Sequence, residues 1–330
     1  MTSATRTGVV AVGGLALLAA ASVVSVLLGA EPVPAGEILA VLRDAGDGAA
    51  AGIVSARVDR TLIAVVVGAC AAIAGTVLQG LTRNPIAEPG ILGLNSGAAL
   101  LVVIGIRAGL LDGVVDYLWT ALVGVIIAGL LVHAIAASVP LRHQPMTTAL
   151  AGAAIMAASS SIMVGLLLAD DTALDLFRYW QVGSVAGKDA GLILPVLPFV
   201  LVGLLLTLTS GRTLNAMALG DDVARSLGQR VVLARGGALV GALLLTAAAC
   251  ALAGPIAFVG LAVPHLLRLF SGPDHGRLLL GSLLVGPALV VAADTLGRVI
   301  APPGEVQVGV MTAVVGAPVL IILARRAVRR

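Results

Sequence analysis

Ten apolar runs divide the chain, at about 8–30, 61–81, 90–106, 114–139, 146–169, 191–210, 231–253, 254–267, 278–297 and 306–324. Each is long enough, or nearly so, to cross a bilayer as a helix. Within the runs apolar residues are continuous rather than alternating, which predicts transmembrane helices and excludes a β-barrel. The core of the first run is too long for a signal peptide, and nine more runs follow it, so it reads as a span. The longest connection, 31–57, opens with EPVPAGEILAVLR (31–43), a Pro/Gly entry followed by a short surface helix. A second surface helix is expected within 170–190, around FRYWQVGSVAGKD. No linker marks off a soluble domain, so the pattern predicts one all-α domain over 1–330.

Residues 213–228 depart from this pattern. Leu219, Val223 and Leu227 recur every four residues and form one apolar stripe, while Asp221, Asp222, Arg225 and Gln229 take the other faces. Gly220 divides the stretch into two short helices, 213–219 and 221–227; Asp221 is expected to cap the second and Gly228 to end it. Such a pair either rests on lipid headgroups or plugs a groove on a cytoplasmic partner, and the helix-Gly-helix-Gly pattern favours the plug.

Charge sets the orientation. Gly236 to Pro264 carries no charged residue and is broken only by Gly254-Pro255. If that stretch is two spans, both termini share a side. That side then holds Arg6, Arg83, Arg142, Arg212, Arg225, Arg230, Arg235, Arg268, Arg277, Arg325, Arg326, Arg329 and Arg330, 13 of the 20 basic residues. A single crossing would leave only 8 of the 20 there. The positive-inside rule therefore selects ten transmembrane helices with both termini cytoplasmic. Composition agrees: 59% of residues are hydrophobic and only 11% charged, against about 25% charged in soluble domains. The net charge of +3 reports topology rather than nucleic-acid binding. Cys70 and Cys250 each lie inside an apolar run and read as packing residues.

Catalytic motifs are missing. The sole lysine, Lys188, sits in GSVAGKD, where the glycine spacing is one short for a phosphate-binding loop and Asp189 replaces Ser/Thr. His133, His143, His265 and His275 have no ligand-like spacing. The expectation is a chain without catalytic residues, metal or cofactor. Gln79 and Asp294 are costly to bury in lipid and should face protein or a water-filled path. Asn84-Pro85 and Glu88-Pro89 break the helix on the inner side and predict a tight re-entrant turn between spans two and three. Gly97, Gly237 and Gly241 permit close helix approach.

Three stretches carry a family resemblance: ARVDRTLIAVVVGACAAIAGTVLQGLTRNPIAEPGILGLNSGAAL (56–100), ALGDDVARSLGQR (218–230), and the segment from GPIAFVGLAVPHLL through GAPVLIILARR (254–326). Together with WQVGS (180–184) they resemble FecCD-type permeases of bacterial ABC importers for iron(III)-siderophores, haem and cobalamin. The resemblance implies a type II importer permease in the bacterial plasma or inner membrane. It also implies a second permease subunit, identical or related, and an extracytoplasmic binding protein. Two cytoplasmic ATP-binding subunits would hold the ATP and magnesium that this chain lacks. Leu219, Gly220, Asp221, Val223, Ala224, Arg225, Leu227 and Gly228 would form the coupling helices in the ATPase cleft. Arg57, Arg60 and Arg298 would meet acidic residues of the binding protein, although RVDR carries Asp59 where the family usually has Pro. Snorkelling at a helix end, or an i,i+4 pair between Arg298 and Asp294, are the structural alternatives. Gln79, Asn84, Pro85, Glu88 and Pro89 would lie on the pathway or shape the re-entrant turn. Iron(III)-siderophore is the first expectation for the cargo, with cobalamin or haem as alternatives. An ion-coupled secondary transporter would want acids in mid-span, where Asp294 is the sole candidate; an intramembrane enzyme would want a dyad or an aspartate-rich motif.

Overall fold

A computed structural model of the chain describes residues 3–43, 48–140, 143–301 and 304–328. Arg142, Arg329 and Arg330, three of the expected inner arginines, lie outside the described residues. All regular structure among the described residues is helical. The elements are α1 (Ser3–Leu27), α2 (Ala35–Leu42), α3 (Ala49–Thr82), α4 (Leu94–Arg107), α5 (Val114–Ala137), α6 (Gln144–Leu167) and α7 (Asp171–Gln181). A 3-10 turn (Ala190–Leu192) leads into α8 (Ile193–Leu208), followed by α9 (Gly211–Ala218), α10 (Asp221–Ser226), α11 (Val231–Ala253), α12 (Val259–Ser271), α13 (His275–Ile300) and α14 (Val308–Val328).

Seven of these helices are long and apolar enough to cross a membrane, and α4, α12 and the Val308–Pro318 part of α14 are shorter apolar helices. The short ones correct two expected spans. The eighth run, 254–267, becomes helical only at Val259, because Gly254 takes a left-handed φ of 74° and Phe258 one of 69°. The third, 90–106, begins at Leu94, after a series of turns. The connection after the first span is also shorter than expected: residues 49–57 belong to α3, which extends over 34 residues. Helix α2 forms at its expected position, whereas α7 lies earlier than expected, ending at Gln181 so that VGSVAGKD is not helical; Asp170 caps α7 by accepting from Ala173 N–H at 3.0 Å.

α3 is the hub. It packs against α1, α11, α12 and α13, and small residues make that possible. A Cβ on Gly75 would fall 2.2 Å from the Gly260 carbonyl oxygen of α12, and one on Gly68 2.6 Å from that of Gly286 on α13. In a bilayer such close approach replaces the hydrophobic drive that water supplies elsewhere. Hydroxyl pairs add polar glue: Thr76 with Ser282 and Ser25 with Thr61, both at 2.8 Å. Of the three glycines singled out by the sequence pattern, Gly97 and Gly241 sit at tight contacts, whereas Gly237 faces open space. Gln79 and Asp294, 3% and 1% exposed, face protein. Cys70 and Cys250 are buried free thiols on α3 and α11.

Candidate functional site

At one end of the bundle, α9 and α10 join α8 to α11, with α9 packed on α3 and α13. The stripe of Leu219, Val223 and Leu227 points outward, 68%, 42% and 61% exposed, while Ala224 is buried beneath it. Gly220 separates the helices with φ 117°, and Gly228 ends α10 with φ 80°. Asp221 does not cap α10, as its position suggested. The cap is Gly220, and the Asp221 carboxylate turns inward to accept from Arg83, the C-cap of α3, and from Arg235 of α11 at 3.2 Å. Arg235 also reaches Gln144, the first residue of α6. Asp222 and Arg225 pair with each other at the surface.

α9 has its own anchor. Asn215 donates to Asp274 at 2.7 Å and accepts from His275 N–H at 2.8 Å. Asp274 caps α13 by accepting from Arg277 N–H at 2.9 Å. Burial pushes the Asp274 carboxyl up, but these two hydrogen bonds and the Arg277 charge outweigh burial and hold it below the usual carboxylate range.

From Arg83 the chain turns back into the bundle. Asn84 closes a turn by accepting from Ile86 N–H, and Pro85 and Pro89 forbid helix continuation. Glu88 is 8% exposed and accepts from Phe258 N–H at 3.0 Å. Pro89 lines a small cavity with Ala71, Cys250, Gly254 and Ile256. Gln79, one helical turn before Arg83, donates to the Gly260 carbonyl and accepts from Arg268 at 2.7 Å.

At the opposite end, Arg57, Arg60 and Arg298 come together and line a cavity of about 250 Å³ with Glu31 and Glu305. All three are buried, so none snorkels. Arg60 makes a two-pronged pair with Asp294, its Nε 2.9 Å from both carboxylate oxygens, and a second contact to Glu305 at 2.6 Å. Arg298 pairs with Asp294 at 3.2 Å, the i,i+4 partner that spacing allowed, and donates to Ser25 and Leu28 of the first span. Arg57 donates to the carbonyls of Val26, Leu27 and Glu31, and among the described residues no carboxylate lies within ion-pair distance of it. Asp59 forms no ion pair with either neighbouring arginine among the described residues. Nearby, WQVGS is laced to two helices. Ser184 N–H donates to the Ala253 carbonyl at 2.7 Å, Gly309 N–H to the Gly183 carbonyl, and Lys188 Nζ to Leu252 at 2.6 Å. Burial pulls the Lys188 pKa down to about 8.

The sequence reading did not bring Arg83, Arg235, Asn215 and Glu305 to these two sites. Arg83 and Arg235 counted only as inner charges, and their common partner is more than a hundred residues from Arg83.

Comparison with known proteins adds a consistent set of relatives. A family model described as the FecCD transport family matches residues 17–326. The ferric enterobactin transport system permease of Escherichia coli (strain K12) is 38% identical over 318 residues, 96% of this chain and 95% of that protein. The hemin transport system permease of Yersinia pestis is 37% identical over 273 residues, 82% of each. A solved structure of an ABC transporter described as of the metal-chelate type, in an inward-facing conformation, superposes with a TM-score of 0.83 at 26% identity. It covers 97% of this chain and 99% of that one.

Proposed function

This chain belongs to the FecCD transport family and is a non-catalytic, multi-pass permease of a bacterial ABC importer, and from that premise we propose that its cargo is an iron(III)-siderophore. The likeness to the enterobactin permease over nearly the full length of both chains supports this cargo. The likeness to the hemin permease keeps haem as a second reading. Cobalamin is the third. Uptake of radiolabelled ferric siderophore, haem and cobalamin by vesicles holding the assembled importer separates them: the proposal expects ATP-dependent uptake of the first alone.

Seven long and three shorter apolar helices support ten crossings, and the distribution of arginine supports cytoplasmic termini. That topology puts α9 and α10 inside the cell and the Arg57–Arg60–Arg298 cavity outside. The exposed stripe of Leu219, Val223 and Leu227, over a carboxylate that ties α10 to the bundle, fits a coupling helix seated in a groove of the ATPase subunit. It is the single observation that carries the functional reading. ATP-driven closure of the two ATPase subunits would move α9 and α10 as a body and rock the spans attached to them.

The outer cavity is the docking place for the binding protein. Arg57 is the residue for an incoming carboxylate, because its own partners are uncharged carbonyls and a guanidinium fork suits a carboxylate. Arg60 and Arg298 hold the cavity wall through Asp294 and Glu305. A second permease subunit, identical or related, completes the pathway. Specificity resides in the binding protein, because a chain with 2% aromatic residues offers the cargo little differential contact.

A further inference from the structure

We propose that residues 83–93 act as a strap that carries movement of α10 to the N-terminus of α12, with Arg83 and Glu88 as its two positioning residues. The proposal rests on the reading of α9 and α10 as ATPase-coupling helices.

The strap is held at both ends by charge. At the inner end Arg83, in a left-handed C-cap conformation with φ 51°, pairs with Asp221 of α10. At the deep end Glu88 accepts from Phe258 N–H at 3.0 Å, at the first turn of α12. Phe258 is the helix N-cap, and a carboxylate there complements the positive end of the α12 dipole. The two ends lie at different depths. Pro89, next to Glu88, packs in the cavity with Ala71 of α3. Ala71 is eleven residues before Thr82, the last residue of α3, which corresponds to about 16 Å along a helix. A push on α10 at the inner surface is therefore delivered deep within the bundle, at the start of a half-length helix.

The connecting segment suits this role. Ala87 N–H donates to the Asn84 carbonyl between the two ends, and beyond Glu88 the Leu92 N–H donates to the Glu88 carbonyl and the Gly93 N–H to the Gly90 carbonyl, so turns rather than a free loop run through the strap. Pro85 and Pro89 stiffen it further. The receiving end is conditionally stable: Phe258 holds φ 69° without being glycine, and its side chain occupies the space that a Cβ on Gly316 of α14 would need. Backbone in that region persists only while its surroundings enforce it. Glu88 is one of the groups that enforce it.

The test is hydrogen exchange on the whole importer in lipid nanodiscs, with and without magnesium and a non-hydrolysable ATP analogue. In the unaltered protein the nucleotide should change exchange in peptides covering 213–228 and also in those covering 84–93 and 256–262. In Arg83→Ala, which leaves the Asp221–Arg235 pair in place, and in Glu88→Ala the response at 213–228 should stay, while that at 256–262 falls by at least about fivefold. Glu88→Gln, which keeps an acceptor oxygen, should restore it. The strap is overturned if the unaltered protein responds at 213–228 but not at 84–93 and 256–262, or if the alanine variants keep the full response at 256–262. Silence at 213–228 in the unaltered protein would instead remove the coupling-helix reading, and the strap with it. Should one variant not assemble, the unaltered protein and the other variant still decide.

Discussion

Asp294, 1% exposed, holds two guanidinium groups at once. Breaking one side of a buried pair leaves an uncompensated charge and costs about 3–5 kcal/mol. Asp294→Ala should therefore lower the unfolding temperature of the purified protein sharply, whereas Asp175→Ala, which removes an exposed pair on α7, should leave it nearly unchanged. Equal effects of the two would show that the buried network contributes nothing. Lys188 offers a cleaner measurement, because it is the sole lysine. Its ordinary pKa is 10.5 and burial pulls it down to about 8, so the amine loses its proton as pH rises through 8. Peptide-resolved labelling with an amine-reactive reagent should have its midpoint near pH 8; a midpoint above pH 10 would contradict the buried placement. Residue identity made part of this legible. An acid at 294 and an arginine at 298 predict their i,i+4 pair, but nothing local tells that Arg60 joins them from 234 positions away.

Helices were legible where their signal is local and their partners lie close in sequence. Gly220 and Gly228 mark the ends of α10 because only a residue without a Cβ accepts their φ of 117° and 80° cheaply. The Asp221 cap was misplaced for the complementary reason: spacing sees a helix start, not two arginines arriving from α3 and α11. The start of α12 was also hidden, since an apolar run has the same composition whether it is helical from Gly254 or only from Val259. Two outcomes test the element scale. Gly75→Val would drive its side chain into the α12 backbone; overpacking of this kind costs about 1–3 kcal/mol, and the variant should unfold at lower temperature than Gly237→Val, whose site is open. Leu219→Asp with Leu227→Asp should abolish co-purification of the ATPase subunits while the permease still folds. Undiminished co-purification would move the docking surface elsewhere.

At the scale of the whole molecule, ten runs of the right length and the distribution of arginine pointed to a polytopic helical protein, and seven long apolar helices with three shorter ones agree. What composition could not convey is that α3 is the axis on which the others are stacked, because that depends on glycines meeting glycines across helices. The two proposed docking surfaces, the stripe on α10 and the cavity beside Arg57, lie at opposite ends of the molecule so built. If selectivity belongs to the binding protein, the purified permease should bind ferric siderophore only weakly, and submicromolar binding by calorimetry would refute that division of labour. The claim on which the rest depends is that the chain supplies no driving force of its own. Uptake should be compared in vesicles holding this permease alone and in vesicles holding it with its ATPase partners and binding protein. The account predicts accumulation in the second only, and only with Mg-ATP on the ATPase side. Accumulation by the permease alone, driven by an imposed proton or sodium gradient, would contradict it.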